Sequence, residues 1–225
     1  MTNRSDPRLF KRLSVFASAT TVFSAVVGVS GLAGWTHHIA SLNTWGATPL
    51  TMKANTAACF LLVGVSWWLL RKKDNPSFGW ASKLTPRISA ILVGLMSLRS
   101  LTEHLFRRDF GIDQFLLAAP PAFETASVRA GLMSPITAVA FLLLSLALLG
   151  IDWRTRWGRW PAQVLSLAAG AAATFGILSF AFDPHIYSAH LSVALPTAVT
   201  LAVFSLGLVC SRREGGWEDL WNGEK

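Results

Sequence analysis

The chain has 225 residues, of which 52% are hydrophobic and only 14% are charged. Soluble domains average about 25% charged residues, so this composition argues against a soluble domain. The net charge of +8 does not indicate nucleic-acid binding. We expect its Lys and Arg residues to set orientation in a membrane and to meet anionic lipid headgroups.

Six apolar stretches follow one another along the chain. A helix needs roughly 20 apolar residues to cross about 30 Å of hydrocarbon, and five stretches meet this with almost no charge. The remaining one is weaker, because Arg99, Glu103 and His104 interrupt its second half. The six predicted spans are, in chain order, Leu13–Gly34, Thr51–Leu70, Pro86–Phe106, Leu132–Gly150, Pro161–Phe182 and Leu191–Cys210.

The basic residues predict the orientation. Fifteen of the 20 fall on one side when all six spans are counted, and the positive-inside rule makes that side cytoplasmic. Both termini then lie in the cytoplasm. The other side contains Lys53, Arg99, Arg107, Arg108 and Arg129. The predicted fold class is therefore an all-α, polytopic membrane protein with six transmembrane helices.

Spans two, four and six open on similar residues. The shared Thr-Ala pairs are Thr56-Ala57, Thr137-Ala138 and Thr197-Ala198, and a small residue follows eight positions after each Thr: Gly64, Ser145 and Ser205. The sequence thus predicts three helical hairpins as parallel repeats about an axis along the membrane normal. The predicted boundaries are 1–12 for a basic cytoplasmic N-terminus, 13–211 for the membrane domain (repeats about 13–73, 84–152 and 160–211) and 212–225 for a cytoplasmic tail.

The repeated motif has two interpretations. Asn55 and Ser134 suit a helix N-cap, while Pro135 and Pro196 suit a first helical turn. The motif could therefore serve only to start helices and supply small packing residues. Alternatively, three helix N-termini with partial positive charge converge on the non-cytoplasmic side, where they would favour an anionic ligand or headgroup.

Three motifs together carry a family resemblance. They are Met-x-x-Asn-Thr-Ala-x-x-Phe-Leu-Leu from Met52, Glu-His-Leu-Phe with Asp-Phe-Gly-Ile-Asp-Gln from Glu103, and Met-Ser-Pro-x-Thr-Ala from Met133. Over residues 10–220 or so, the chain resembles the N-terminal multi-pass membrane sensor region of bacterial sensor histidine kinases and diguanylate cyclases. That region precedes PAS, kinase or GGDEF domains.

The resemblance implies a non-enzymatic input module in the bacterial inner (cytoplasmic) membrane that signals to a protein partner. The relatives continue into an output domain, whereas this sequence stops at Lys225. The chain is then a fragment, a module that works alone, or a subunit. The main alternative is an accessory structural subunit of a larger respiratory or photosynthetic membrane complex, docking through apolar and Trp-rich surfaces. A transporter is a weaker third candidate.

Candidate ligand-binding residues cluster on the outer side. Arg99 and Glu103 are one turn apart on span three, so they can form an ion pair, and ionisable residues at membrane depth are functional candidates. The full set is Asn55, Arg99, Glu103, His104, Asp109 and Asp113. The alternative is a simple interfacial salt bridge. The sequence contains no phosphate-binding Gly loop, HExxH, Cys-x-x-Cys or nucleophile elbow, so no catalytic residue is predicted.

All five histidines also fall in outer segments. Besides His104, they are His37, His38, His185 and His190, which are weak candidates for metal, haem or pigment binding or for a pH response. The alternative is that loops and water satisfy them. No cofactor is predicted. The two cysteines, Cys59 and Cys210, lie at different predicted depths, so we expect free thiols rather than a disulfide.

Overall fold

A computed structural model describes residues 7–45, 50–72, 81–106, 132–153, 161–182 and 193–210. These residues form seven α-helices and no strand. The helices are α1 (Pro7–Thr36), α2 (Ala40–Thr44), α3 (Ala54–Arg71), α4 (Ala81–Phe106), α5 (Pro135–Leu149), α6 (Pro161–Phe182) and α7 (Leu195–Cys210). The all-α prediction is confirmed for this part of the chain, and a helix occupies each predicted span.

Four of these helices are long and apolar enough to cross a membrane: α1, α3, α4 and α6. The charged third stretch, in α4, is among them. The helices α5 and α7 are shorter, with 15 and 16 residues. Both begin later than predicted, because Pro135 is the first residue of α5 and Pro196 the second of α7. Proline fits a first turn, where no N–H is needed, and disfavours a longer helix before it. The helix α4 is different, since it begins five residues before the predicted start and contains Pro86.

The helices pack as a closed ring in the order α1, α3, α4, α5, α6, α7 and back to α1. Within the ring, α5 also contacts α3 and α7. The residues four positions after the three Thr are Phe60, Phe141 and Leu201, and all three are fully buried. The rings of Phe60 and Phe141 meet edge to face, with centroids 4.9 Å apart. These side chains form the centre of the apolar core.

The helices α1, α4 and α6 carry most of the exposed apolar surface. An apolar helix face without a protein partner is typical of contact with lipid. The most exposed examples include Val22, Val26, Ile91, Leu95, Leu98, Val164, Leu167 and Phe175.

Small residues bring paired helices close together. A Cβ built on Gly64 of α3 would lie 3.2 Å from the Ala25 nitrogen of α1. In α4, a Cβ on Gly94 would lie 2.9 Å from Ser145 Oγ of α5. In α6, a Cβ on Gly170 would lie 3.2 Å from Ser205 Cβ of α7. The small residue eight after each Thr therefore packs on the preceding long helix in all three pairs.

Side-chain hydrogen bonds fix the packing of α3 on both of its neighbours. Ser24 Oγ of α1 donates to the Phe60 carbonyl of α3 at 3.0 Å. Ser66 Oγ of α3 donates to the Pro86 carbonyl of α4 at 2.8 Å. Both serines are buried and therefore need a hydrogen-bond partner within the protein. Each finds it on the neighbouring helix.

Candidate functional site

The three helices that carry the Thr-Ala motif, α3, α5 and α7, all begin after a short non-helical segment. The preceding residues are 51–53, 132–134 and 193–194, and Met52, Met133 and Val193 within them are buried. Non-helical backbone at membrane depth is tolerated only where protein covers it or a cavity hydrates it. These three starts therefore mark an end of the bundle where helical backbone gives way to irregular backbone inside the fold.

Each Thr of the repeated motif is the third residue of its helix. Ser134 is the N-cap of α5, and its Oγ accepts a hydrogen bond from the Thr137 nitrogen at 3.3 Å, as predicted. The predicted N-cap role of Asn55 is wrong, because the N-cap of α3 is Lys53. Asn55 lies one residue before Thr56 and therefore inside the first turn, where its backbone is already helical.

The side chains at these starts are buried. Asn55, Thr56, Thr137 and Thr197 are each at most 4% exposed. The following alanines, Ala57, Ala138 and Ala198, are buried as well and leave room for close packing. We call the region formed by Asn55, Thr56, Thr137, Thr197 and the end of α4 from Arg99 to His104 the mouth.

Two contacts place the end of α4 in the mouth. His104 Nε2 donates to the Met133 carbonyl, just before α5, at 2.8 Å. One turn below Ser100, the Met96 sulfur lies 3.9 Å from the Cys59 sulfur of α3. Because Cys59 is three residues after Thr56 and the two helices run in opposite directions, Ser100 and Thr56 lie at a similar depth. The predicted residues Asn55, Arg99, Glu103 and His104 are therefore brought to one end of the bundle.

Glu103 is the most unusual residue of the mouth. Its side chain is completely buried, whereas that of Arg99 is 22% exposed. Arg99 Nη2 donates to Glu103 Oε1 at 2.7 Å, so the predicted i, i+4 ion pair is present. Removing a carboxylate from water costs several kcal/mol before its attraction to a partner is counted. Burying a carboxylate here is therefore unfavourable if its role is only to fill space in the core.

Two polar groups near this end were not predicted from the sequence. Asn43 of α2 is completely buried, and neither side-chain amide atom has a hydrogen-bond partner among the described residues. Its amide lies against α1, where a Cβ on Gly34 would come within 2.6 Å of Nδ2. Gly31 and Gly34, one turn apart, are the sequence signal for such close contact. Ser100 is similarly buried, and its hydroxyl has no partner in the described part of the chain.

The remaining candidates are not collected here. His37 and His38 lie at the end of α1 and are exposed, with His38 in the left-handed region at φ 57°. Asp109, Asp113, His185 and His190 lie outside the described residues. Within the described ranges, no three His, Cys, Asp or Glu side chains are grouped to hold a metal. Both cysteines are free, Cys59 in the core and Cys210 half-buried.

The chemistry of the mouth follows from this arrangement. Helix N-termini carry partial positive charge, which stabilises anions close to the first turn. The Glu103 carboxylate supplies a buried negative group on α4, ion-paired with Arg99. It is next to His104, which bonds to the Met133 carbonyl just before α5. A ligand that competes for the guanidinium or for the carboxylate would break this ion pair within α4.

No family model, curated protein or solved structure matches the chain. The resemblance to sensor regions therefore remains a prediction, which rests on the motifs from Met52, Glu103 and Met133.

Proposed function

We propose that the chain is a six-helix sensory or regulatory module of the bacterial inner membrane, non-enzymatic and with both termini cytoplasmic. The observation that carries the proposal is the buried Glu103 carboxylate, which is ion-paired with Arg99 and adjacent to His104, the residue that bonds to Met133 just before α5. Ionisable residues in membrane segments are rare and mark functional sites by default. In this module, a signal met at the mouth shifts α4 relative to α5, and the shift reaches a cytoplasmic partner.

The six-crossing topology and the three repeats are part of the same proposal. It is supported by the equivalent contacts of Gly64, Ser145 and Ser205, each against the long helix that precedes its own. The shortness of α5 and α7 fits this arrangement, because Met133 and Val193 before these helices, and Thr137 and Thr197 in their first turns, are buried. In secondary transporters, helix N-termini that lie at membrane depth point at anionic groups of the substrate, so helices that start inside the fold are compatible with a binding site at the mouth.

A second candidate is an accessory subunit of a larger membrane complex. It is favoured by the apolar face of α4, on which Ile88, Leu95, Leu98 and Leu105 are all more than 40% exposed. Other membrane helices could cover this face as well as lipid does. In this case the mouth would have no signalling role, and α4 would be the docking helix.

Native mass spectrometry of the full chain in a mild detergent, combined with identification of the proteins that copurify, separates the two candidates. The sensory proposal expects a cytoplasmic signalling protein whose occupancy differs between wild type and Glu103→Gln. The matched control is Arg87→Gln, an exposed charge on the same helix. A stoichiometric membrane complex that is unaffected by Glu103→Gln would support the accessory subunit instead. Absence of any signalling partner in both proteins would contradict the sensory proposal.

A further inference from the structure

The other end of the bundle contains a concentration of basic side chains between α1 and α3. Arg71, at the end of α3, donates from Nη2 to the Ser14 carbonyl of α1 at 2.9 Å and to Ser14 Oγ at 2.8 Å. Because α3 ends at this level, the residues of α1 before Ser14 extend about 10 Å further. This extension carries Arg8, Lys11 and Arg12, all exposed.

Aromatic rings hold two of the cations. The Arg71 guanidinium lies 5.7 Å from the centroid of the Trp67 ring, and Lys72 Nζ lies 4.2 Å from that of Trp68. Trp67 is buried, whereas Trp68 is 40% exposed. An exposed indole beside a cation is typical of the level at which lipid headgroups meet hydrocarbon. The positions of Arg71 and Lys72 are therefore set before any ligand arrives.

An apolar stripe continues from this charge along α1. Val15, Val22, Val26 and Val29 are between 54 and 62% exposed. Their spacing puts them on one helix face, and Lys11, four residues before Val15, shares that face. The stripe from Val15 to Val29 is about 21 Å long, more than one leaflet of hydrocarbon. A cationic group thus tops an exposed apolar surface of acyl-chain length.

The net positive charge of this surface favours a lipid with an anionic headgroup. The first turns of α1, the last turn of α3 and its C-cap contain five basic side chains and, among the described residues, no acidic one. Asp6 and Asp74 lie outside those residues. We propose that an anionic phospholipid binds the α1–α3 groove, defined as Lys11, Ser14, Trp68, Arg71 and Lys72. Its phosphate lies between Lys11, Arg71 and Lys72, and an acyl chain follows the valine stripe. This inference rests on the proposed membrane function.

The test compares lipids of matched chains on the full protein in detergent. Phosphatidylglycerol and phosphatidylcholine are added in turn, and the retained lipid is counted by native mass spectrometry while the melting temperature is followed. The wild-type protein should retain more phosphatidylglycerol than phosphatidylcholine. Each Lys→Gln change at Lys11 or Lys72 should weaken its binding about fivefold. Arg71 is left unchanged because it joins two helices.

Arg87→Gln is the control, since it removes one exposed positive charge from the same end but lies on α4. It should leave preferential retention unchanged. Equal losses in Arg87→Gln and Lys72→Gln would overturn the groove in favour of diffuse attraction. Equal retention of the two lipids would contradict the proposal that the bound lipid is anionic. It would not contradict insertion of the protein in a membrane. A protein that stays monodisperse without detergent and retains neither lipid would overturn the proposed function itself.

Two further outcomes would also contradict the proposal. If inorganic phosphate stabilises the protein as much as phosphatidylglycerol does, the groove recognises an anion rather than a lipid. The protein could instead be a dimer whose measured mass leaves no room for bound lipid. If Val22→Lys prevents this dimer from forming, a second copy of the chain covers the valine stripe.

Discussion

In both the α1–α3 pair and the α4–α5 pair, two helices approach closely at a glycine, but the glycine meets different groups in each. In the first pair, Gly28 of α1 lies directly on the α3 backbone, so that an added Cβ would come within 2.6 Å of the Leu61 nitrogen. In the second pair, the contact at Gly94 is with the Ser145 hydroxyl, at the end of a short side chain. The first pair is therefore fixed backbone to backbone, whereas the second can adjust.

The polar groups differ in the same way. Near the mouth, α1 has Gly31 and Gly34, and the polar group that packs on them is Asn43, brought by α2. In α4 the polar groups, Ser100 and Glu103, belong to the spanning helix itself. A ligand acting on Glu103 would thus act directly on a long helix. In the proposed function, the first pair is the scaffold and the second is the responsive part.

The largest effect is expected from Glu103→Ala. This change breaks a buried ion pair and leaves a cavity, which should lower the free energy of unfolding by about 3 kcal/mol. Glu103→Gln keeps the shape and an acceptor for Arg99, so its effect should be smaller. Chemical denaturation in mixed micelles measures both. Equal stability of Glu103→Ala and wild type would show that the second pair does not depend on this carboxylate.

Gly28→Ala tests the rigidity of the first pair. The new methyl group meets backbone atoms of α3 that cannot turn away, so overpacking should cost about 2 kcal/mol. Gly176→Ala is the matched control, since its Cβ would lie in ordinary contact, 3.5 Å from Val193. Thermal unfolding of the two variants should separate them clearly. If both melt at the same temperature as wild type, the first pair is not fixed by backbone contact.

Ser24→Ala removes the hydrogen bond from Ser24 Oγ to the Phe60 carbonyl that joins α1 to α3. The expected loss is about 1 kcal/mol, in line with hydrogen bonds between membrane helices. Ser18→Ala on the same helix is the control, because Ser18 Oγ donates only within α1, to the Ser14 carbonyl. Denaturation should detect a change in the first variant only, and identical losses would argue against a specific link.

The smallest effect is expected from Gly94→Ala in the second pair. Its methyl group would meet Ser145 Oγ, a flexible group that can rotate, so the cost should stay below about 1 kcal/mol. Adding Ser145→Ala should remove even this cost, as the two Cβ positions are 3.6 Å apart. A double-mutant cycle in the same denaturation assay measures the coupling. A loss as large as that of Gly28→Ala would abolish the contrast between the pairs.

Hydrophobic runs and prolines predicted most of the helical framework. The α6 boundaries, Pro161–Phe182, agree residue for residue, and the ion pair between Arg99 and Glu103 follows from their one-turn spacing. The N-cap at Lys53 was missed because its side chain makes no capping hydrogen bond, so the sequence carries no capping signal there. Asn43 was missed because its burial depends on a short helix folding back onto Gly31 and Gly34, a tertiary contact with no periodic signal.

Thiol labelling of single-cysteine variants tests the six-crossing topology most directly. In a background of Cys59→Ala and Cys210→Ala, Ile39→Cys and Trp153→Cys are treated with a membrane-impermeant maleimide in intact and in permeabilised bacterial cells. Both positions are exposed in the fold. Six crossings predict labelling of Ile39→Cys in intact cells and of Trp153→Cys only after permeabilisation. If only α1, α3, α4 and α6 cross, Trp153 faces outward, and its labelling in intact cells would contradict the proposed topology.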